Sequence, residues 1–216
     1  MGDGRNTNPD ICSAKADYAV VKRILQDGYK ISWQSTHKTT GCIYTGFKEL
    51  RAKLQELGMC YSRRKTAKHI PEEYLTSSYM QRMELLAGLL DTDGHYDPQK
   101  DTYIYATCEP ALRDGVIQLI ATFGWNYGIC CYEPKTSSSG VIGRRPCYSI
   151  SFAPKDYVPC VLERKRIKRL HNHQRISIVS VERCEPVHGN CISVEDGIYC
   201  VGKTMLPTHN STLTGQ

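Results

Sequence analysis

The chain has 216 residues, a formal net charge of +6 and 40% apolar residues, which is enough to pack the core of one large domain or two small ones. No stretch approaches the roughly 18 consecutive apolar residues of a membrane helix, and the first residues lack the layout of a signal peptide. These features argue against a membrane or secreted protein. We therefore expect an intracellular, cytoplasmic protein with no membrane partner.

Cysteine usage agrees with that setting. The eleven cysteines include no C-x-x-C pair, and the adjacent Cys130 and Cys131 cannot easily supply two ligands to one tetrahedral ion. We expect no structural zinc. The odd count in a reducing compartment predicts free thiols, most of which behave as small buried hydrophobes.

The predicted elements of the first 170 residues fall into two successive units. In chain order they are a helix at 16–27, strands at 29–34 and 42–47, a helix at 48–57, a strand at 102–107, a helix at 109–123, strands at 127–132 and 148–152, and a Ser/Gly-rich loop at 135–145. Alternating strands and helices of this kind predict an α+β fold.

The pattern of the sequence changes after residue 170. Short β-type runs at 176–181, 191–194 and 198–201 are separated by glycine and proline, with no helical period. We therefore place one domain at 1–170 and a second, all-β module at 171–210.

Residues 85–94 read LLAGLLDTDG, an apolar helix with two small residues in its middle and carboxylates at its end. Small residues let two helices approach closely, and an Asp at the end of the helix can be presented to a metal ion. A core helix that ends in a turn would look the same. An EF-hand fits poorly, because Gly94 is at the fourth position when Asp91 is counted as the first, whereas the loop needs Gly at the sixth position.

Residues 86–94 resemble the motif that names the LAGLIDADG endonucleases, and the segments 68–75 and 148–152 resemble two further segments of that family. The resemblance implies a fold of two αββαββα-like units. Two motif helices pack together and each supplies one metal-binding Asp, over sheets that lie in the DNA major groove. Asp93 is the acid of the second motif. Residues 1–4 resemble the end of a truncated first motif helix, with Asp3 as the matching acid, which we favour over the alternative of a disordered N-terminal segment.

The same resemblance implies Mg²⁺ as cofactor and double-stranded DNA as partner, since phosphodiester cleavage needs metal ions that carboxylates hold well. Positive charge is concentrated in segments 63–68 and 164–169 and in the adjacent Arg144 and Arg145 of a predicted loop. Such clusters suit phosphate contacts. Solvated basic faces would have the same composition. The basic side chains that we expect near DNA are Lys68, Arg144, Arg145, Lys155, Lys165 and Lys168.

The C-terminal tail ends in the sequence THNS at residues 208–211, and residues 189–201 upstream of it resemble the C-terminal splicing blocks of inteins. The resemblance implies the last strands of a Hint (hedgehog/intein) splicing domain. Asn210 would cyclise through its side-chain amide and cut the chain after itself, with His209 polarising the carbonyl or moving the proton. Ser211 would accept the upstream segment as an ester. Residues 211–216 would then be the C-extein.

Two details of the tail leave its mechanism open. Cys191 lies 19 residues before Asn210, and together with Thr208 it resembles class 3 inteins, in which this Cys is the first nucleophile. It also occurs in inteins that start conventionally, which we favour. Residues 197–204 satisfy the P-loop pattern G-x-x-x-x-G-K-T, but Pro207 follows where the phosphate-binding helix would have to begin.

The sequence therefore predicts a bifunctional C-terminal intein fragment that carries a homing endonuclease and needs a complementary N-terminal intein fragment. The host extein resembles a P-loop NTPase or GTPase, because residues 211–215 look like the end of a nucleotide-binding loop. One alternative is a catalytically inactive LAGLIDADG remnant that still binds DNA, on a splicing-competent C-intein. Another is an inert remnant.

Overall fold

The computed structural model describes residues 10–59, 67–136, 142–170, 180–186, 188–189, 192–202 and 205–209. They form an α+β structure with two antiparallel sheets of similar order and a separate hairpin. None of the helices in this part of the chain is both long and apolar enough to cross a membrane.

The first unit contains a three-stranded sheet. Its elements are β1 (Asp10–Ser13), a 3-10 turn (Lys15–Asp17), α1 (Ala19–Gln26), β2 (Ile31–Thr36), β3 (Ile43–Phe47) and α2 (Leu50–Glu56). The strand order is β1-β3-β2, with both pairings antiparallel. The predicted pairing of the strands at 29–34 and 42–47 is confirmed, with small shifts at their ends.

The second unit contains a four-stranded sheet. Its elements are α3 (Glu72–Leu75), α4 (Tyr79–Asp93), β4 (Gly94–Asp97), β5 (Thr102–Thr107), α5 (Pro110–Ala121), β6 (Tyr127–Tyr132) and β7 (Cys147–Phe152). The order is β4-β5-β7-β6, antiparallel throughout. The predicted strand at 102–107 and the hairpin of β6 with β7 are confirmed.

The two units repeat one arrangement. The succession β1-α1-β2-β3 matches β5-α5-β6-β7, and in each sheet the last of these strands lies between the other two. Two successive units of similar order were predicted, and the structure confirms them. Sequence analysis missed β1 and β4, because their sequences, DICS and GHYD, contain no run of strand-forming residues.

Strands β5 and β7 of the second sheet alternate between buried positions and more exposed ones. Tyr103, Tyr105, Ile150 and Phe152 are at most 2% exposed and pack with α5 in the main core. The intervening residues, such as Ser149 and Ser151, point to the other face. The sheet is therefore covered by helices on one side and open on the other.

Helix α4 begins six residues before the apolar motif that predicted it. Ser78 and Gln81 form a capping box, in which the Gln81 amide donates to Ser78 Oγ at 3.4 Å and Gln81 Oε1 accepts from the Ser78 amide at 3.1 Å. Six of its fifteen residues are buried. Most of the stabilisation of this helix therefore comes from burial of one face against the sheet and α5.

The tail folds as a hairpin of β8 (Ile198–Val201) with β9 (Leu206–His209). Strand β9 was missed because Pro207 interrupts it, which an edge strand tolerates. The strand predicted at 191–194 is wrong for 192–194, which have no regular secondary structure. That run leads directly into the turn around Gly197, and Ile192 is 46% exposed. Most of the run predicted at 176–181 lies outside the described residues.

Candidate functional site

Helix α4 delivers Asp93 to a cleft of about 700 Å³. The cleft lies where α4 ends, β5 ends and β7 begins, and it borders the open face of the sheet. Its lining comprises Ala67, Lys68, Asp93, Ala106, Thr107, Cys108, Glu109, Leu112, Arg145 and Cys147. Asp93 is half-buried there, so its carboxylate is reachable from the open side.

The charges of the cleft are two carboxylates and two cations. Arg145 Nη1 donates to Glu109 Oε1 at 2.6 Å, and Asp93 and Lys68 line the same space. Carboxylate oxygens are the hard ligands that Mg²⁺ prefers, so Asp93 fits the role predicted for it. Among the residues described, no group of three or more His, Cys, Asp or Glu side chains is placed to hold a metal ion. The second predicted ligand, Asp3, lies outside them.

The C-terminal end of α4 is held by two buried charged side chains. Lys165 is 5% exposed, and its Nζ donates to the carbonyl oxygens of Leu90 at 2.8 Å, Asp91 at 2.6 Å and Thr92 at 3.2 Å. The Asp91 carboxylate, 4% exposed, accepts from the backbone amides of Val161 at 2.7 Å and Leu162 at 3.0 Å. We call this arrangement of Asp91, Lys165 and their backbone partners the α4 clamp.

The α4 clamp has a clear physical basis. The last carbonyls of a helix have no partner within the helix and carry partial negative charge, which a cation stabilises. A buried cation in turn needs several acceptors, and Lys165 has three. Its ammonium therefore points into the protein and not towards a DNA surface, at odds with the DNA contact that we expected of Lys165.

Two tyrosines extend the same attachment. Tyr103 Oη donates to the carbonyl of Lys165 at 2.7 Å and accepts from the Ile167 amide at 3.2 Å. Tyr96 Oη donates to Asp101 at 2.6 Å and accepts from the Lys168 amide at 3.1 Å. Burial raises the pKa of both phenols, so both remain hydroxyl donors at neutral pH. The segment that follows β7 is thus fixed beneath the helix that carries Asp93.

A further face of α4, next to the α4 clamp, is open. A largely apolar groove of about 420 Å³ runs between α1 and α4. Val20 and Ile24 of α1 line one side of it, and Leu85, Gly88 and Thr92 of α4 line the other. These three α4 positions are three and four residues apart and so share one helix face. We call this face, with its α1 wall, the α4 groove.

Gly88 within α4 and Gly94 directly after it differ in what a side chain would meet. A Cβ on Gly94 would lie 2.5 Å from the Leu90 Cα and 2.7 Å from its carbonyl oxygen, whereas a Cβ on Gly88 would meet nothing within 4 Å. We expect Gly94→Ala to lower the free energy of unfolding by about 1 to 3 kcal/mol, because backbone atoms cannot move aside. Gly88→Ala should be neutral or stabilising by up to about 1 kcal/mol. Urea denaturation of both variants tests this pair, and equal effects would contradict it.

The remaining predicted DNA contacts lie on the surface. Arg144, Arg145, Lys155 and Lys168 are exposed, and Lys68 is half-buried at the cleft. Lys155 Nζ donates to the carbonyl of Gly124 at 3.2 Å. Only Lys68 and Arg145 lie in the same cleft as Asp93, so they are the two cations that the structure brings to it.

The tail hairpin places two of the predicted splicing residues. Thr208 pairs with Tyr199 and His209 with Ile198. Gly197, at φ 64°, lies beside the His209 imidazole, whose Nε2 is 3.1 Å from the position that a Cβ on Gly197 would occupy. The other predicted residues, Cys191, Asn210 and Ser211, lie outside the described residues.

Comparison with known proteins gives one relative in sequence. The chain is 35% identical over 180 residues to a replicative DNA helicase DnaB of Mycobacterium intracellulare. The match includes 76% of this chain but only 28% of the helicase sequence. No family model matches the chain.

Comparison of folds finds structures of the homing endonuclease I-DmoI. One is of mesophilic variants, with 14% identity over 67% of this chain and 72% of that chain. Another is in complex with DNA and Mn, with 14% identity over 67% and 73%, and a third is in complex with DNA and Ca, with 13% identity over 67% and 68%. The TM-score is 0.43 in each case.

Sequence analysis missed Asp91 and Glu109. A signal for Asp91 was present: residues two apart on a helix point to nearly opposite sides, so Asp91 and Asp93 could not share one environment. Asp91 lies on the buried face of α4, whereas Asp93 lies outside that face. Glu109 carried no comparable signal, because its neighbour Arg145 is 36 residues away in sequence.

Proposed function

We propose that the chain is the C-terminal part of an intein and carries a site-specific, double-strand DNA homing endonuclease of the LAGLIDADG type. The observation that carries the nuclease is the position of Asp93. It stands at the end of an apolar helix, in a charged cleft at the border of an open sheet face. A carboxylate in that place can hold a divalent cation beside DNA that lies on the sheet.

The open sheet face supports DNA as the partner. Its side chains include His95, Ser149 and Ser151, and small polar groups of this kind can read base edges in the major groove, which is wide enough for a β-ribbon. Lys68 and Arg145 in the cleft, with Arg144 beside it, offer charges for the phosphates. Binding of this kind weakens as salt concentration rises.

The α4 groove supports the need for a complementary N-terminal fragment. Its α4 face exposes Gly88, which leaves room for another helix to approach closely, and Val20 and Ile24 give its α1 side apolar surface beside Arg23. We propose that the first motif helix, whose end residues 1–4 resemble, fills this groove. Asp3 at the end of that helix would then reach the same centre as Asp93.

The proposed cofactor is Mg²⁺, held by Asp93 and Asp3. The ion would stabilise charge on the attacking and leaving oxygens of the phosphodiester. The residues of this chain have three further roles. The α4 clamp fixes the position of the helix end that carries Asp93. Lys68 and Arg145 neutralise phosphate charge, and the sheet sets the position of the protein along the DNA.

The experiment that tests the nuclease combines this chain with its complementary N-terminal fragment and a plasmid that carries the uninterrupted insertion site. We expect linear plasmid in the presence of Mg²⁺ and none in EDTA. Binding without cleavage under these conditions would support the alternative, a catalytically inactive DNA-binding remnant. Absence of both would contradict the nuclease and the remnant alike.

A second activity, protein splicing, is supported by the tail hairpin. Strand β9 ends at His209, one residue before Asn210, and the exposed His209 ring lies beside Gly197. We infer that His209 polarises the Asn210 carbonyl while the Asn210 side-chain nitrogen attacks it, and that Ser211 accepts the upstream segment. We propose that splicing starts at a conventional N-terminal nucleophile; the alternative is Cys191 as the first nucleophile, acting together with Thr208.

The splicing proposal predicts a strong effect at Asn210. With the complementary fragment present, Asn210→Ala should abolish release of residues 211–216, since alanine has no nucleophilic side chain. His209→Ala should slow release by about 100-fold, the usual size of a general acid–base contribution. Mass spectrometry of timed samples measures both. Wild-type-like release in Asn210→Ala would contradict the proposal.

The proposed host is a P-loop NTPase, and the helicase relative supports it. A helicase is driven by nucleotide hydrolysis, and residues 211–215 resemble the end of a nucleotide-binding loop. A segment that matches 28% of a helicase sequence is what an intein inserted into such a host would give. The cytoplasm, where that host and DNA are found, is the proposed location.

A further inference from the structure

Two cysteines face each other just beyond the ladder of β5 and β7. The last pair of that ladder is Thr107 with Tyr148, so the next opposite positions are Cys108 and Cys147. Directly opposite residues of antiparallel strands have Cα atoms about 4.5 to 5.5 Å apart. That separation falls within the range of about 4.4 to 6.8 Å that a disulfide needs.

The side chains of these two residues also meet. Both line the cleft that contains Asp93, and the two thiols are close enough to interact with each other. Cys108 is exposed and Cys147 is half-buried, so an oxidant reaches Cys108 first. Burial, with the neighbouring Cys108 next in importance, raises the pKa of the Cys147 thiol.

We infer that Cys108 and Cys147 are a reversible dithiol–disulfide site, oxidised by small-molecule disulfides, at the rim of the cleft. The Cys108 thiolate attacks one sulfur of the small disulfide, which forms a mixed disulfide and releases one small thiol. The Cys147 thiolate then attacks the Cys108 sulfur and releases the second small thiol. The two cysteines lose two protons and two electrons in all, and the small disulfide gains them.

The disulfide would act on an ion pair beside it. Cys108 is adjacent to Glu109, and Cys147 is two residues after Arg145, so the new bond ties the same two backbone segments that the Arg145–Glu109 contact of 2.6 Å joins. It would hold Arg145 on Glu109 and away from phosphate. This consequence, unlike the disulfide itself, rests on the proposed DNA-binding function.

The chain offers internal comparisons. Cys160 is 2% exposed, and burial raises the pKa of its thiol to about 12, so it should remain reduced. Cys131 is the third thiol close to Cys147 and is the main competitor. Cys130 is exposed on the neighbouring strand and serves as a matched control for substitution.

The test treats the full chain with oxidised glutathione, alkylates the remaining thiols and maps the peptides by mass spectrometry. We expect a Cys108–Cys147 link that is lost in Cys108→Ser, kept in Cys130→Ser and reversed by dithiothreitol. Stable glutathione on Cys108 with Cys147 alkylated, or a link from Cys147 to Cys131, would overturn the inference.

The consequence for DNA is measured separately. Oxidation should weaken binding of the assembled protein to DNA by about fivefold, the size expected for loss of one phosphate contact. The Arg145→Ala variant should keep the disulfide and lose the effect of oxidation. An unchanged affinity in the cross-linked wild type would contradict the coupling to Arg145. A protein that binds no DNA in either state would contradict the proposed function but leave the disulfide result standing.

Discussion

Replacement of Lys165 by methionine should destabilise the chain by about 3 kcal/mol. Methionine fills a similar volume but cannot donate, so three carbonyls at the end of α4 lose a charged partner. Hydrogen bonds to charged groups contribute about 1.5 to 3 kcal/mol each, although contributions at one site do not simply add. For a domain of this size the midpoint of thermal unfolding should fall by about 6 to 12 °C.

Lys168→Met is the matched control for this prediction. Lys168 is exposed and only three residues away, and the contact that fixes its position is made by its backbone amide to Tyr96. We expect a change within about 0.5 kcal/mol. Calorimetry or circular dichroism of the two variants gives the comparison. Equal melting temperatures for Lys165→Met and Lys168→Met would show that the α4 clamp does not stabilise the helix.

Replacement of Asp93 by asparagine should abolish cleavage and spare DNA binding. The amide keeps the shape of the side chain but has no charge to hold a divalent cation, and loss of a group that stabilises the transition state typically costs 100-fold or more. We expect the single-turnover rate of the assembled protein to fall by at least about 100-fold. Affinity for the same DNA in EDTA should change by less than about threefold, because Asp93 makes no favourable contact with phosphate.

Asp156→Asn is the control for Asp93→Asn. Asp156 accepts a hydrogen bond from Tyr79 at 2.9 Å, at the opposite end of α4 from the cleft, so this change should leave the rate as it is. Quenched-flow or gel assays at saturating Mg²⁺ give the rates. A rate for Asp93→Asn close to wild type would remove Asp93 from the catalytic centre, and a parallel loss of DNA binding would assign it to structure.

The elements with long periodic patterns were predicted well from sequence. The hairpin of β6 with β7 and helix α5 have clear alternation or helical period, and the structure places them within a few residues of the prediction. The four-residue strands β1, β4 and β9 were missed. Their pairing depends on neighbours distant in sequence, such as Gly46 for Asp10, and no local pattern contains that information.

The candidate site was predictable only in part. Asp93 was found because its position at the end of an apolar helix is local information. The α4 clamp was not found, because Lys165 lies in a run of basic residues that suggests an exposed face. The four neighbouring cations of that run, Arg164, Arg166, Lys168 and Arg169, are indeed exposed. Only the three-dimensional contact with α4, more than 70 residues earlier, distinguishes Lys165 from them.

The DNA sequence upstream of the Met1 codon tests most directly the central claim, that this chain is the C-terminal part of an intein. Our account predicts coding sequence for N-terminal splicing strands and for the rest of the first motif helix, preceded by the N-terminal part of a P-loop host such as a DnaB helicase. This sequence should lie next to Met1 or elsewhere in the same genome. A complete genome that encodes no such segment would contradict the claim.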